Sequence, residues 1–181
     1  SILLIFILLF YKIVIWHVLT FLFLNLLYNL FLKKLPLIDL LTISLGYIIR
    51  LDSGSTLIEI SSSFLMIMTI FFLSFFVISM KRFIEINNGI TKTSLIFYNK
   101  KYLYFSSILG IFFSMIFYIL FLYFKNLNFF LTLPVAIYFL YIYFYKNING
   151  IIISPVDIVF KDLRLILSII VFFVIIFFQM Y

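Results

Sequence analysis

Long apolar runs, each closed by a short polar stretch, follow one another along the whole chain. Their lengths, about 17 to 25 residues, match the helical crossing of a bilayer rather than the strands of a membrane barrel, which alternate over about ten. The runs fall at 1–11, 13–32, 37–51, 58–80, 103–124, 128–145 and 163–181. They predict an all-α, polytopic membrane helix bundle of about seven spans in a single transmembrane domain, 1–181. Because Ser1-Ile2-Leu3 opens inside an apolar run with no basic leader or cleavage site, the chain is expected to be N-terminally incomplete. The third run is bounded by Pro36 and by Asp52-Ser53-Gly54-Ser55, both expected to break a helix, and Pro134 is expected to kink the sixth.

Composition agrees with this class. With 67% hydrophobic and 10% charged residues and a mean hydropathy of +1.34, too few polar side chains exist to clothe a soluble domain of this length. The 27 Phe and 13 Tyr stand beside a single alanine, Ala136, a bias expected of AT-rich coding, so aromatic abundance by itself does not indicate a stacking surface. No cysteine is present, which excludes disulfides, thiolate chemistry and zinc–sulfur sites.

Charge then predicts orientation, because cytoplasmic loops collect Lys and Arg. The stretches 33–36, 81–102 and 146–162, with the adjoining Arg164, alternate onto one side. They hold ten of the thirteen basic residues: Lys33, Lys34, Lys81, Arg82, Lys92, Lys100, Lys101, Lys146, Lys161 and Arg164. Lys12, Arg50 and Lys125 remain for the other side, with Tyr181. The first side is therefore expected to face the cytoplasm, across a bacterial inner membrane. The net charge of +7 follows from this asymmetry and anionic lipid, with no nucleic-acid partner.

Three polar groups collect at that side. Asn25, Tyr28, Lys33, Lys34 and Asp39 form the first; Asn25 and Tyr28 share a helix face, and Lys34 reads as an interfacial anchor. A carboxylate just inside a span, as Asp39 is, requires a partner, a metal or a phosphate-bound cation. Lys81-Arg82-Phe83-Ile84-Glu85 form the second, either as a Lys81–Glu85 surface pair or as a phosphate clamp, with Asn87-Asn88-Gly89 ending the helix. Pro155, Asp157, Lys161, Asp162 and Arg164 form the third, where Asp162 is expected to cap the last helix. His17 is the only histidine, so a histidine metal cluster and a Ser-His-Asp triad are both excluded within the chain. A buried, hydrogen-bonded or interfacial state is expected for it.

In order along the chain, Tyr28-x-x-x-x-Lys33 with Pro36 and Asp39, Gly46-Tyr47-Ile48-Ile49-Arg50, Lys81-Arg82-x-x-Glu85, Tyr98 before Leu103, Leu133-Pro134 with Tyr138, and Pro155 with Asp162 resemble the decaprenyl-phosphate phosphoribosyltransferases. These belong to the UbiA-type intramembrane prenyltransferases. The resemblance runs from about Phe21 to Tyr181. It implies a nine-helix fold of which the spans here are the third to the ninth, with an Asn-Asp-x-x-Asp metal motif lying before Ser1. It also implies transfer of 5-phosphoribose from phosphoribosyl diphosphate to a polyprenyl phosphate, with Mg²⁺ as cofactor and a membrane-bound homo-oligomer as one possible assembly. On this resemblance Lys33, Lys81 and Arg82 contact substrate phosphates, and Arg50 binds substrate. Asp39 and Glu85 act as catalytic residues in the metal shell or on ribose hydroxyls, while Asn25 and Tyr28 orient the substrate. Ile142 stands where the family often has an arginine. Two alternatives remain at this stage: a polyprenyl transferase acting on an aromatic acceptor, for which the 81–102 stretch lacks a second Asp-x-x-x-Asp pair, and a non-catalytic membrane subunit or remnant.

Overall fold

The computed structural model describes residues 12–89, 98–127, 129–148 and 159–180. Every regular element among them is helical: α1 (Lys12–Leu30), a 3-10 turn (Leu32–Lys34), α2 (Pro36–Leu57), α3 (Phe64–Asn87), α4 (Lys100–Phe124), α5 (Phe129–Ile148) and α6 (Leu163–Met180). Phe64–Asn87, Lys100–Phe124 and Phe130–Ile148 are long and apolar enough to cross a membrane, and Val14–Leu30 and Leu163–Gln179 are shorter apolar helices. The chain is an integral membrane helix bundle. Its exception is α2, which carries Asp39, Arg50 and Asp52 along one helix of 22 residues.

Central in the bundle is α3, which packs on α2, α4 and α5, while α1 lies against α2 and α6 against α5. One apolar core joins Phe76, Met80 and Ile84 of α3 to Leu140, Ile142 and Tyr143 of α5 and Leu165 of α6. A second joins Leu40 of α2, Phe75 and Ile78 of α3, Tyr98, and Leu103 of α4. Ile142 is thus a core side chain.

Lipid tails are as apolar as leucine, so helices in a membrane associate chiefly by close packing of small residues and by hydrogen bonds. Here Ser106, Ser107, Gly110 and Ser114 make the buried face of α4. Each serine hydroxyl donates to a carbonyl one turn back, at 2.9, 2.7 and 2.8 Å, so none of the three hydroxyls is left bare. At Gly110 the backbones approach so closely that a β-carbon would lie 2.9 Å from Phe76 Cβ and 3.0 Å from its backbone.

Helix ends explain where the observed elements depart from the expected spans. Ser63 caps α3 by accepting from the Met66 N–H (3.3 Å), so that helix starts at Phe64 rather than 58. It also runs on through Lys81-Arg82-Phe83-Ile84-Glu85 to Asn87, so 81–87 belongs to the helix and not to a loop. Gly89, at φ +68°, follows its end as expected from Asn87-Asn88-Gly89. Asp52-Ser53-Gly54-Ser55 does not break α2. The hydroxyls of Ser53, Ser55 and Thr56 instead bond back to the carbonyls of Arg50, Asp52 and Ser53 and stay inside the helix. The break comes at Glu59, at φ +55°, where its N–H reaches Thr56 O (3.4 Å) and the Ile60 N–H reaches Ser55 O (3.0 Å). Asn126 ends α4 in the same way. Pro134 lies inside α5. The expected span at 1–11 and the residues Lys92, Pro155, Asp157 and Tyr181 lie outside the described residues.

Two glycine substitutions separate packing from helix propensity. Gly110→Val forces α3 and α4 apart and is expected to lower stability by about 1–3 kcal/mol. Gly54→Ala meets open space and is expected to be neutral or stabilising by up to about 1 kcal/mol. Thermal unfolding of both variants in the same detergent is the measurement, and equal midpoints would contradict the close α3–α4 approach.

Candidate functional site

Pro36 opens α2 with no N–H to satisfy, and Asp39 sits in the first turn, where the helix dipole favours a carboxylate. Its side chain is 0% exposed. Four protein contacts meet its two oxygens. Arg82 of α3 gives a side-on fork, Nε to Oδ2 at 2.9 Å and Nη2 to Oδ1 at 3.1 Å. The Tyr28 hydroxyl of α1 donates to Oδ1 at 2.8 Å, and the Tyr98 hydroxyl donates to Oδ2 at 2.8 Å while also lying against the Pro36 carbonyl. Both lone pairs of each oxygen are engaged.

Arg82 is 7% exposed and reaches further. Its Nη1 donates to Glu85 Oε2 at 2.9 Å, one turn along α3, and its Nη2 donates to the Tyr28 hydroxyl at 3.1 Å. Glu85 is 6% exposed. Helical spacing permits either Lys81 or Arg82 as its neighbour; the structure pairs it with Arg82 and leaves Lys81 on the exposed face. The expected Lys81–Glu85 pair is therefore replaced. Removing one partner from a buried, hydrogen-bonded charge pair costs about 3–5 kcal/mol, so this cluster is a strong constraint on how α1, α2 and α3 meet. Burial first, and then the Asp39 charge, push the Tyr98 phenol well above its ordinary pKa, so it remains a proton donor.

Beside the cluster, α1 and α2 enclose a crevice of about 160 Å³ lined by Phe21, Asn25, Tyr28, Thr42, Tyr47 and Arg50, among others. Tyr28 belongs to both places, bonding Asp39 through its hydroxyl and lining the crevice with its side chain. The Arg50 guanidinium lies 4.8 Å from the ring centre of Phe21 and 5.4 Å from that of Tyr47. No carboxylate pairs with it among the described residues. At the far end His17 Nε2 meets Asp52 Oδ2 at 3.0 Å, which gives the lone histidine a hydrogen-bonded, partly buried state. The Tyr28–Asp39 and His17–Asp52 contacts thus clip α1 to α2 on either side of the crevice.

Of the residues singled out from the sequence, Tyr28, Asp39, Arg82 and Glu85 come together, and Asn25 and Arg50 join Tyr28 in the crevice. Lys33, on the half-buried 3-10 turn, and Lys81 touch neither. A single polar pocket gathering Lys33 and Lys81 with Asp39 is therefore not what forms: the carboxylates and Arg82 are sealed, and the two lysines stand apart. Tyr98 was visible only as a loop residue before Leu103. The one hint of its role was that Asp39 demanded donors from somewhere in the fold.

A Mg²⁺ site on Asp39 and Glu85 does not fit this donor set. Magnesium requires free carboxylate oxygens and room for its waters, whereas both Asp39 oxygens are filled by Arg82, Tyr28 and Tyr98. Among the described residues no three His, Cys, Asp or Glu side chains gather to hold a metal. Compared with known proteins, the chain matches no family model and no curated protein.

The third polar group is a helix cap. Asp162 Oδ1 accepts from the Arg164 N–H at 3.0 Å, and its other oxygen pairs with Lys146 at the end of α5. The Lys146 hydrogen bond, then the Arg164 N–H, hold the Asp162 carboxyl below its usual pKa of 3.8. A depressed folded pKa contributes stability that is full above the ordinary carboxylate value and is lost as pH falls through the lower folded one. Wild-type protein is accordingly expected to lose more thermal stability than Asp162→Asn between pH 5 and pH 3. Parallel stability curves for the two would remove Asp162 from the α5–α6 junction.

Proposed function

We propose that this chain is an integral membrane transferase that moves 5-phosphoribose from phosphoribosyl diphosphate to a polyprenyl phosphate. The observation that carries the reading is Arg50. An arginine among membrane helices, facing a crevice and lacking a carboxylate among the described residues, is a functional-site residue by default. Its planar fork suits a phosphate, and Asn25 and Tyr28 on the facing helix supply orienting polar groups. The reaction joins a phosphate oxygen of the lipid to the ribose anomeric carbon and breaks that carbon's bond to diphosphate.

Charge supports the same reading. The Asp39 contacts with Tyr28, Arg82 and Tyr98 gather the α1–α2 turn, the C-terminus of α3 and the start of α4 at one end of the bundle, and the core that Ile84 shares with Ile148 and Leu165 brings the α5–α6 junction beside them. That end carries Lys33, Lys34, Lys81, Lys100, Lys101, Lys146, Lys161 and Arg164. A soluble polyanion approaching such an end is steered by its potential, and the apolar surfaces of α4 to α6 suit a polyprenyl chain. The basic end faces the cytoplasm on this reading.

A second reading, a non-catalytic membrane subunit, is favoured by one observation: the Asp39–Arg82–Glu85 cluster is satisfied by protein groups. Activity separates the two. In membranes containing the expressed protein, label from phosphoribosyl diphosphate is expected in the lipid extract. Arg50→Ala should lose about 10- to 150-fold, the equivalent of a charged hydrogen bond to phosphate, while Lys34→Ala stays near wild type. An unlabelled extract would favour the subunit, and an unaffected Arg50→Ala would remove the crevice from the reaction.

Orientation has its own test. The chain lacks cysteine, so an introduced Asn88→Cys reports on the basic end alone. It should resist an impermeant thiol reagent in intact cells and react after lysis; labelling in intact cells would reverse the orientation.

A further inference from the structure

We propose that Asp39 and Arg82 form a closed electrostatic latch, which positions Tyr28 and Tyr98 and itself takes up neither metal nor phosphate. The inference stands on the geometry of the cluster and holds whether or not the chain is a transferase. Residues of these types at these depths invite a ligand: two acids and an arginine among membrane helices suit a cation or a phosphate. Every contact on Asp39, however, comes from the protein. Its oxygens take Arg82 Nε and Nη2, the Tyr28 hydroxyl and the Tyr98 hydroxyl, all between 2.8 and 3.1 Å.

Arg82 is similarly committed. Its remaining contact, Nη1 to Glu85, uses a carboxylate on its own helix, so the fork is turned inward toward α2 and cannot also face a phosphate on the basic end. Burial completes the argument, since both groups are withdrawn from solvent. A metal or phosphate entering here must first break a bidentate ion pair in a low-dielectric setting.

What the latch does follows from what it joins. Tyr28 brings in α1 and the crevice wall, Asp39 the first turn of α2, Arg82 the last turns of α3, and Tyr98 the residue two before α4. Four segments meet at one pair of charges. Loss of the pair releases Tyr28 from the crevice and Tyr98 from the foot of α4.

The charges dictate an order of damage that a ligand site does not share. Arg82→Gln leaves the buried Asp39 carboxylate without its ion-pair partner. Asp39→Asn leaves Arg82 still paired with Glu85. Removing the Asp39 charge in the Arg82→Gln background takes away the stranded acid.

Thermal unfolding in detergent micelles reads these differences. Arg82→Gln is expected to lower the midpoint by about 10 °C, Asp39→Asn by less than half as much, and the double variant to recover part of the Arg82→Gln loss. If Arg82→Gln alone does not fold, recovery of a monodisperse double variant on size exclusion reports the same coupling. Strictly additive losses, or a double variant worse than either single one, would overturn the latch. A second readout is Mn²⁺ binding followed by electron paramagnetic resonance, with wild type and Asp39→Asn expected to give the same affinity or the same lack of binding. A tenfold or greater loss in Asp39→Asn would make Asp39 a metal ligand and overturn the proposal.

Discussion

Charges withdrawn from water inside a membrane bundle are tolerated only when the protein replaces every solvent contact, and the Asp39–Arg82 pair obeys that rule on both sides. The carboxylate receives four donors, and the guanidinium gives to two acids and one phenol. Meeting such a demand leaves little freedom. The first turn of α2 must sit level with the last turns of α3, Tyr28 must point from α1 into the same space, and Tyr98 must close it from below α4. The arrangement of the first four helices follows from that one pair.

Against this closed cluster stands the open crevice. Clips at Tyr28–Asp39 and His17–Asp52 hold α1 and α2 together at two levels, and between them the helices part around Asn25, Thr42 and Arg50. Arg50 rests on aromatic faces instead of a carboxylate, an attraction weaker than an ion pair and easily shared with an incoming anion. The two arginines therefore differ in kind. Arg82 spends its donors on the fold, and Arg50 keeps its donors available.

Elsewhere the bundle is held by contact distance rather than polarity. Gly110 lets α4 touch Phe76 on α3, and the serines flanking it cover their own hydroxyls through backbone carbonyls. Large apolar residues accordingly turn outward on α4 and α6, such as Phe105, Phe112, Phe173 and Phe178, an exposed apolar surface that suits lipid contact. Part of the aromatic excess of the composition thus lies on the exposed surface of the bundle.

The helical membrane class was legible in the sequence because bilayer thickness constrains each apolar run locally, without reference to any other part of the chain. Caps at Asp162 and the stop at Gly89 were legible for the same reason, since a helix end needs only its own neighbours. Asp39 announced that it required a partner, but which one was undecided: two lysines lie five and six residues before it, and Arg82 lies 43 residues beyond. Glu85 posed the same ambiguity, as i,i+3 and i,i+4 neighbours are equivalent on an isolated helix and only the buried face of α3 distinguishes Arg82 from Lys81. The persistence of α2 through Ser53-Gly54-Ser55 depended on hydroxyls turning back to their own carbonyls, an option the sequence permits but does not choose. Local constraints of length, capping and composition were set by the sequence itself. The pairing of buried charges was decided only when tertiary packing removed water and left each charge a single way to be satisfied.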